Sequence, residues 1–350
     1  MMPRKIRVGL LGLVHDHVFL NDEINHFLSI EGVEVACAAD VNEILLRRVA
    51  NMGVKNIYRD YREMLAKEEL DAVAVYAENA RHAEYTEAAA EKGLHVMVEK
   101  PMASNFEIAK RMFEVSKRYN VKLMINYPTT WSPSLRHAVK IALDGNIGRV
   151  YEVRFRAAHK GPKEEGCSPY FYSWLYDEKL NGAGAYIDFC CYGANFSRWI
   201  LGMPEKVCSM GGNYVKDYIS PLEDNAILLM SYKRGMGIAE ASWSQIPGEI
   251  GPFYMLTIRG TEGTVAANFT GPVKAYFQGG SWTEVNPPPL EEGSQNAAQH
   301  FIYCILKDTP FLEPVSAKFN LEVQAILEAG LLSMKEDKTI YLSEILKKMG

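Results

Sequence analysis

Apolar and polar residues follow one spacing in the first part of the chain and another in the rest. Up to about residue 125, short apolar runs alternate with segments in which apolar residues recur at helical spacing. This pattern predicts a parallel sheet whose strands are connected and covered by helices. Ser104 with Glu107 three positions later predicts the start of one of these helices. The predicted strands lie at residues 6–11, 33–39, 72–76, 94–98 and 122–125.

Beyond residue 150, apolar and polar residues alternate, which predicts strands with one buried face. A helical segment over residues 184–201 interrupts the series, and the carboxyl-terminal end returns to a helical pattern. We therefore expect an α/β domain over residues 1–125 and an α+β domain over residues 126–350, with helices on one face of a mainly antiparallel sheet. The predicted strands of this sheet lie at residues 150–157, 206–214, 226–232, 237–244, 253–259, 264–268 and 273–277.

The composition narrows the classes of partner. A net charge of −5 argues against nucleic acid, and no basic or long apolar run predicts a membrane partner. The apolar run at residues 6–11 is too short for a signal peptide. The six cysteines show no Cys-x-x-Cys spacing. We expect a cytoplasmic protein.

The turn after the first predicted strand is a degraded dinucleotide fingerprint. Gly12 fits one of its glycine positions, whereas Val14 and His17 occupy the other two. Because the middle glycine normally lets the backbone approach a pyrophosphate, Val14 is expected to push the phosphates outward or to shift the loop. Leu13, His15 and His17 are expected to line the cofactor. No metal is expected, since the sequence offers the two histidines no partner cluster.

Asp40 follows the second predicted strand, where a carboxylate can accept hydrogen bonds from the ribose hydroxyls of NAD and repel the 2′-phosphate of NADP. We therefore expect NAD, with NADP disfavoured. Asp40 is alternatively a helix cap. Asn79 and His82 follow the next strand. Asn79 is expected either to cap a helix or to contact the nicotinamide ribose, and His82 to lie at the cofactor.

Glu99, Lys100 and Pro101 end another predicted strand, at the edge where open parallel sheets place their ligands. Asp188 and Tyr192 are four residues apart on the predicted helix and so share a face, which Lys100 would meet across a cleft. Tyr192 is expected to exchange the proton of a substrate hydroxyl, with its pKa lowered by the Lys100 ammonium and a nicotinamide ring. The alternative makes Tyr192 a core aromatic residue.

Substrate contacts are expected from aromatic and amide side chains. Tyr170 and Trp174 belong to an aromatic segment that suits stacking on a sugar ring or packing at a subunit interface. Asn126 and Tyr127 follow the fifth strand. Further donors are available from Arg154, Arg156, His159 and Lys160.

These motifs occur together with Gly145-Asn146-Ile147-Gly148, Gly202-Met203-Pro204 and the run at residues 328–333. In this order they resemble the Gfo/Idh/MocA oxidoreductase family. The resemblance implies a Rossmann domain, a second domain with a large open sheet, and NAD or NADP. Asp188 and Tyr192 form an Asp-x-x-x-Tyr motif that is similar to the glucose–fructose oxidoreductase and dihydrodiol dehydrogenase branch. An arginine common in the family after the fifth strand is missing.

Three functional hypotheses follow. The first is a dehydrogenase or reductase that moves hydride between nicotinamide and a hydroxyl or ketone carbon of a sugar-like or cyclic polyol substrate, with Lys100, Asp188 and Tyr192 as catalytic residues. The second is a redox-neutral reaction, such as hydrolysis, elimination or epimerisation, with tightly bound NAD. The third is a non-catalytic NAD sensor, against which the three intact residues argue. The resemblance implies a homodimer or homotetramer.

Overall fold

The computed structural model describes residues 5–20, 22–246 and 253–347. Its first sheet is parallel, with the strand order β3-β2-β1-β4-β5-β6. The predicted parallel α/β layer is therefore confirmed. The strands are β1 (Ile6–Leu13), β2 (Val33–Ala39), β3 (Asn56–Tyr58), β4 (Ala72–Tyr76), β5 (His95–Glu99) and β6 (Leu123–Asn126).

Two strands of this sheet differ from the sequence prediction by more than one residue. β1 continues to Leu13, which pairs with Tyr76 of β4 beyond a shift in register at Gly12, so the first residues of the glycine turn belong to the strand. β3 was missed because it is a three-residue edge strand without buried apolar residues. The remaining strands of this sheet lie within one residue of their predicted positions.

Helices connect these strands and bury apolar side chains against the sheet. α6 begins at Phe106, and the Asn105 side chain accepts a hydrogen bond from the Ile108 N–H at its amino-terminal end. The predicted cap at Ser104 is therefore wrong by one residue, because the Asn105 side chain caps the helix. The helices are α1 (His17–Leu20), α2 (Glu23–Leu28), α3 (Glu43–Asn51), α4 (Tyr61–Lys67), α5 (His82–Ala90) and α6 (Phe106–Arg118).

The second sheet has the order β14-β13-β12-β11-β7-β10-β9-β8-β15. Its neighbouring strands are antiparallel except for β7 and β10, which run parallel. The predicted large, mainly antiparallel sheet is confirmed. Its strands are β7 (Val150–Ala158), β8 (Lys206–Gly212), β9 (Asn225–Tyr232), β10 (Gly235–Ser242), β11 (Tyr254–Gly260), β12 (Gly263–Asn268), β13 (Val273–Phe277), β14 (Thr283–Val285) and β15 (Ile340–Tyr341).

One face of this sheet is covered by helices and the other is open. α10 packs on β7 and β10, and α12 packs on β8 and also on α6 of the first layer. The buried positions alternate along β9 and β10, as expected for a sheet with one covered face. The helices of this part are α7 (Pro133–Leu143), α8 (Pro169–Leu175), α9 (Glu178–Asn181), α10 (Cys191–Leu201), α11 (Ala297–Leu306), α12 (Ala317–Glu336) and α13 (Leu342–Leu346).

The predicted domain boundary between residues 125 and 126 falls at the end of β6. This division stays a prediction. Of the helices formed by the described residues, none is both long and apolar enough to cross a bilayer.

Candidate active site

A cavity of about 330 Å³ lies where the carboxyl end of β5 faces the second sheet. Its lining includes six polar or aromatic groups that bear on chemistry: His17, Lys100, His159, Asp188, Tyr192 and Tyr254. The structure thus brings together the three residues that the sequence predicted to be catalytic, Lys100, Asp188 and Tyr192. It adds Tyr254 from the start of β11, which the sequence analysis missed.

Lys100 and Asp188 form a buried ion pair. The Lys100 Nζ donates to Asp188 Oδ1 at 2.6 Å and to the Asp188 main-chain oxygen at 3.2 Å, and Trp243 Nε1 donates to Asp188 Oδ2 at 3.1 Å. Burial opposes the charged form of Lys100, but attraction to Asp188 outweighs it and raises the pKa of Lys100. Burial likewise opposes the Asp188 carboxylate, but Lys100 lowers its pKa. Both groups are therefore charged at neutral pH.

Tyr192 is buried and packs against aromatic rings and Lys100. The Lys100 ammonium lies 4.9 Å from the centre of the Tyr192 ring, and Tyr254 approaches the same ring edge-on at 5.4 Å. Burial, followed by Cys191 and Asp188, raises the pKa of Tyr192 well above its usual value. The expected lowering of this pKa is wrong, because burial dominates and Asp188 compensates the ammonium. Tyr192 is a neutral phenol, suited to donating a proton.

Asp188 and Tyr192 do not share a regular α-helix. The segment predicted as one helix begins with a π-helical turn, Tyr186–Cys190, and becomes α-helical only from Cys191. Asp188 lies in the π-helical turn and Tyr192 in α10. The two side chains still meet at the cavity, although the predicted i, i+4 geometry is not the reason.

The glycine turn is held tightly to its surroundings. Gly12 has φ +69°, and a Cβ atom at this position would lie 2.8 Å from the Cβ of Ala77, so only glycine fits. The Leu13 N–H donates to Asp40 Oδ2 at 2.7 Å. Val14 is buried. Asp40 Oδ1 also accepts from the main-chain and side-chain N–H groups of Asn42. Asp40 therefore joins the turn to the end of β2 and is not a simple helix cap.

α8 covers this turn. The His15 ring packs at a tilt against Phe171 and Trp174, with ring centres 4.6 and 5.8 Å apart. The carboxylate of Asp16 accepts from the main-chain N–H and the hydroxyl of Ser168, at 2.6 and 2.7 Å. Neither Trp174 nor Tyr170 lines the 330 Å³ cavity, and Trp174 is buried beneath the turn.

His17 and Glu99 belong to a buried hydrogen-bond chain. Glu99 Oε2 lies 3.1 Å from His17 Nδ1, and Glu99 Oε1 accepts from Asn126 Nδ2 at 2.6 Å. Asn126 Nδ2 also lies 3.3 Å from Glu23 Oε1. Asn126 is therefore committed to this chain and does not line the cavity.

His15, His17 and Glu99 have ligand atoms within 4.8 Å of one another, a distance that a metal ion could bridge after rearrangement. The side chains of His17 and Glu99 already form a hydrogen bond with each other, and His15 Nδ1 accepts from the main-chain N–H of His17 at 3.3 Å. These atoms are satisfied as they stand. The expectation of no metal stays a prediction.

A second cavity, of about 210 Å³, lies beside Asp40 at the end of β2. Its lining includes Arg59, Arg62 and Arg81, which come from distant parts of the sequence. Each arginine is paired with a carboxylate of Glu43, Glu78 or Glu84. No arginine follows Asp40 directly in the sequence, but the fold brings three arginines to the cavity beside it. This cavity and the Gly12 turn fit the adenosine half of a dinucleotide.

Other predicted site residues have structural partners. Asn79 donates to the Asn181 side chain at 2.8 Å and caps no helix, but its buried Oδ1 has no partner among the described residues. The two ring nitrogens of His82 face the carbonyls of Met102 and Ala77. Tyr127 packs edge-on behind Tyr192 at 5.8 Å.

Two predicted cationic donors lie away from the cleft. Arg154 and Arg156 line a separate cavity on the second sheet, where Arg154 Nε donates to Glu240 at 2.5 Å. The missed residues, Trp243 and Tyr254, lie near the ends of β10 and β11. Only the strand order brings them to Asp188 and Tyr192, so local sequence carried no signal for them.

The parallel sheet with its glycine turn and Asp40 is followed by a mixed sheet, and the helical segment that covers this sheet contributes Asp188 and Tyr192. This arrangement defines an NAD-binding oxidoreductase. The chain belongs to the Gfo/Idh/MocA family. Residues 6–127 match the family's NAD-binding Rossmann fold, and residues 135–266 match a Gfo/Idh/MocA carboxyl-terminal domain. The resemblance seen in the sequence is therefore confirmed.

Named relatives are dehydrogenases. The chain is 25% identical to D-apiose dehydrogenase of Paraburkholderia graminis, over 93% of this chain and 88% of that protein. It is 24% identical to scyllo-inositol 2-dehydrogenase (NAD(+)) of Bacillus subtilis, over 92% and 93%. The aldose–aldose oxidoreductase of Caulobacter crescentus shares the fold, with a TM-score of 0.82, 22% identity and coverage of 97% and 100%.

Proposed function

We propose that the protein is a dehydrogenase that transfers hydride between NAD and a hydroxyl-bearing carbon of a neutral, sugar-like or cyclic polyol substrate. The observation that carries the proposal is the buried Lys100–Asp188 ion pair beside Tyr192 in one cavity. The names of the apiose and scyllo-inositol dehydrogenases support the same substrate class.

The reaction divides among three residues. Bound NAD supplies the hydride acceptor or donor. The Lys100 ammonium donates hydrogen bonds to the substrate oxygen at the reacting carbon and stabilises negative charge that develops there. Asp188 holds the ammonium in place. Tyr192, a neutral phenol, gives its proton to that oxygen during reduction of a ketone and becomes a phenolate, and in the reverse direction this phenolate takes the proton of the alcohol.

The charges around the cavity favour a neutral substrate. Among its described lining residues, Lys100 is compensated by Asp188, which leaves Glu165 as a further acidic group. The Glu165 carboxylate would repel a sugar acid or a sugar phosphate, and no unpaired cation among the described lining residues would offset this repulsion. Phe189 and Phe253 offer apolar ring surfaces suited to the C–H face of a sugar ring.

The cofactor would lie along the carboxyl ends of β1, β2, β4 and β5. Gly12, Leu13 and Val14 form the turn for the phosphates, and Asp40 would meet the adenosine ribose. His15, His17, His82 and Glu99 would support the nicotinamide side, largely by fixing the shape of the turn and of the Lys100 corner.

A panel assay tests the proposal. The protein is incubated with NAD⁺ and D-apiose, scyllo-inositol, D-xylose or D-glucose, and formation of NADH is followed by absorbance. We expect turnover of at least one neutral sugar or polyol, and loss of most of this turnover with Lys100→Met, while calorimetry shows that both proteins bind NAD⁺. A folded protein that binds NAD⁺ and oxidises no polyol, and whose NADH reduces no keto-sugar, would contradict the proposal.

One observation favours a second candidate, a redox-neutral enzyme that keeps its NAD. The hydrogen bonds from Ser168 to Asp16 close the second half of the chain over the glycine turn. Mass spectrometry of freshly purified, denatured protein decides between the two. Stoichiometric NAD supports internal recycling, and protein without NAD supports exchange during each turnover.

A further inference from the structure

His159 has a fixed backbone position at the mouth of the cavity. It follows β7 directly, and its N–H donates to the Ser242 carbonyl at 3.0 Å. Its own carbonyl accepts from the Gln245 N–H at 3.0 Å. These bonds extend the parallel pairing of β7 and β10, so the side chain starts from the rigid end of two strands.

The ring of His159 is also held in one orientation. The Gly161 N–H donates to Nδ1 at 2.9 Å, and the ring packs against Phe189 and Phe253 with ring centres 4.8 and 5.0 Å apart. Gly161 has φ +113°, a backbone conformation that favours glycine. The local backbone is therefore built to present an N–H to the imidazole.

This bond determines the tautomer. Because Nδ1 accepts a hydrogen bond, the proton of the neutral ring lies on Nε2. Burial lowers the pKa of His159 despite the nearby Asp188, so the ring is neutral at neutral pH. Nε2–H is then the remaining polar edge of a side chain that lines the same cavity as Lys100 and Tyr192.

The reacting oxygen already has two donors, Lys100 and Tyr192, so a third fixed donor in the cavity is available for another oxygen. We propose that His159 is a substrate-positioning residue whose Nε2–H donates to a hydroxyl oxygen other than the reacting one, and that it thereby selects which hydroxyl group meets Lys100. This inference rests on the proposed function and adds a determinant of specificity to it.

The first test compares two substitutions on the sugar of the panel with the highest turnover. His159→Phe keeps a ring and removes the donor, and we expect kcat/KM to fall about tenfold, mainly through KM, as for loss of one hydrogen bond. His159→Gln restores an N–H donor and recovers part of the loss. Calorimetry should give an unchanged Kd for NAD⁺. His137→Phe on α7, outside the cavity, is the matched control.

Single-deoxy analogues of that sugar identify the bonded hydroxyl. Removal of the hydroxyl that His159 holds should cost the parent enzyme about tenfold in kcat/KM and cost His159→Phe almost nothing further. Equal losses in both enzymes for every analogue would overturn the inference, as would an unchanged kcat/KM in His159→Phe.

Nitrogen NMR of the histidine rings in the NAD⁺-bound protein gives a readout independent of turnover. We expect an Nε2-protonated neutral ring for His159 at neutral pH, with a shift of its Nε2 signal on addition of scyllo-inositol or the panel sugar. If no panel compound reacts, the proposed function fails. An Nδ1-protonated or doubly protonated ring, or an Nε2 signal unmoved by a sugar that is turned over, overturns the role of His159 instead.

Discussion

Lys100 Nζ lies 2.6 Å from Asp188 Oδ1, and both side chains are more than nine-tenths buried. Lys100 directly follows β5 of the parallel sheet, whereas Asp188 belongs to a π-helical turn packed beneath the mixed sheet. The ion pair therefore joins the two halves of the protein at the reacting centre. A buried charge that loses its partner is strongly destabilising, so stability and chemistry are linked at this contact.

Asp188→Asn should destabilise the protein by about 3–5 kcal/mol, since Lys100 then remains buried without a counter-charge. The pKa of Lys100 should fall, because burial persists while the attraction is lost. Urea unfolding measures the first effect, and loss of residual activity with rising pH measures the second. Asp144→Asn, which breaks an exposed pair with Lys140, is the control and should cost less than about 1 kcal/mol. Parent-like unfolding of Asp188→Asn would contradict the prediction.

Lys100→Met and Tyr192→Phe should each remove most turnover, and the double variant should be little worse than the poorer single one, because both groups act on one substrate oxygen. Tyr192→Phe should cost about 10²–10⁴ in kcat while the Kd of NAD⁺ stays unchanged. Steady-state kinetics and calorimetry provide the measurements, with Tyr276→Phe on β13 as control. A loss below about threefold for Tyr192→Phe would make Tyr192 a packing residue.

Glu23 should make the protein less stable as the pH rises. Burial, followed by the charge of Glu99, raises the pKa of Glu23 from 4.5 to about 8. Between these values the folded state holds a proton that the unfolded chain has lost, so the free energy of unfolding falls with rising pH. Glu23→Gln keeps an acceptor for Asn126 and should flatten this slope in urea unfolding at several pH values. Exposed Glu31→Gln should leave the slope as it is. An unchanged slope in Glu23→Gln would refute the assignment.

Asp40 should set the preference for NAD(H) over NADP(H), because its carboxylate would face the 2′-phosphate. Asp40→Asn retains an acceptor for the Leu13 N–H and loses the charge, while Arg59, Arg62 and Arg81 remain in the same cavity. We expect calorimetry to show tighter NAD⁺ binding by the parent and a gain of about tenfold in NADP⁺ affinity for the variant, the order of 1.4 kcal/mol. Asp337→Asn is the control. Tighter NADP⁺ binding by the parent protein would refute the prediction.

The open face of the second sheet should be covered by another copy of the chain. Large apolar side chains are exposed on β8, β9, β10, β11 and β13, and a patch of this kind favours association. Light scattering should give the mass of a dimer or tetramer. Leu229→Glu combined with Met236→Glu should shift it towards a monomer, whereas Ile44→Glu on α3 should not. A parent protein with the mass of a single chain at micromolar concentration would exclude this assembly. The exposed residues are Met210, Leu229, Met236, Met255 and Phe277.

The sequence predicted those features that depend on neighbouring residues. Strands β2 and β4 have the predicted bounds because uninterrupted apolar runs define them. Lys100 and Asp188 were found because each belongs to a motif. Tyr254, Trp243 and the orientation of His159 depend on the pairing of β7 with β10 and β11, which no local pattern encodes. The pKa of Tyr192 was predicted in the wrong direction because the extent of its burial is a property of the packed fold.

The hydrogen-bond chain through Asn126 connects a buried proton on Glu23 of α2 to the wall of the cavity. Glu23 is two hydrogen bonds from the carboxylate that holds His17, and no solvent is needed between them. Ionisation of Glu23 would place a second negative charge beside Glu99, whose carboxylate contacts His17 of the cavity lining. The pH of the medium can in this way change the charge behind the cavity wall through Glu23, while Lys100, Asp188 and Tyr192 keep their protonation states.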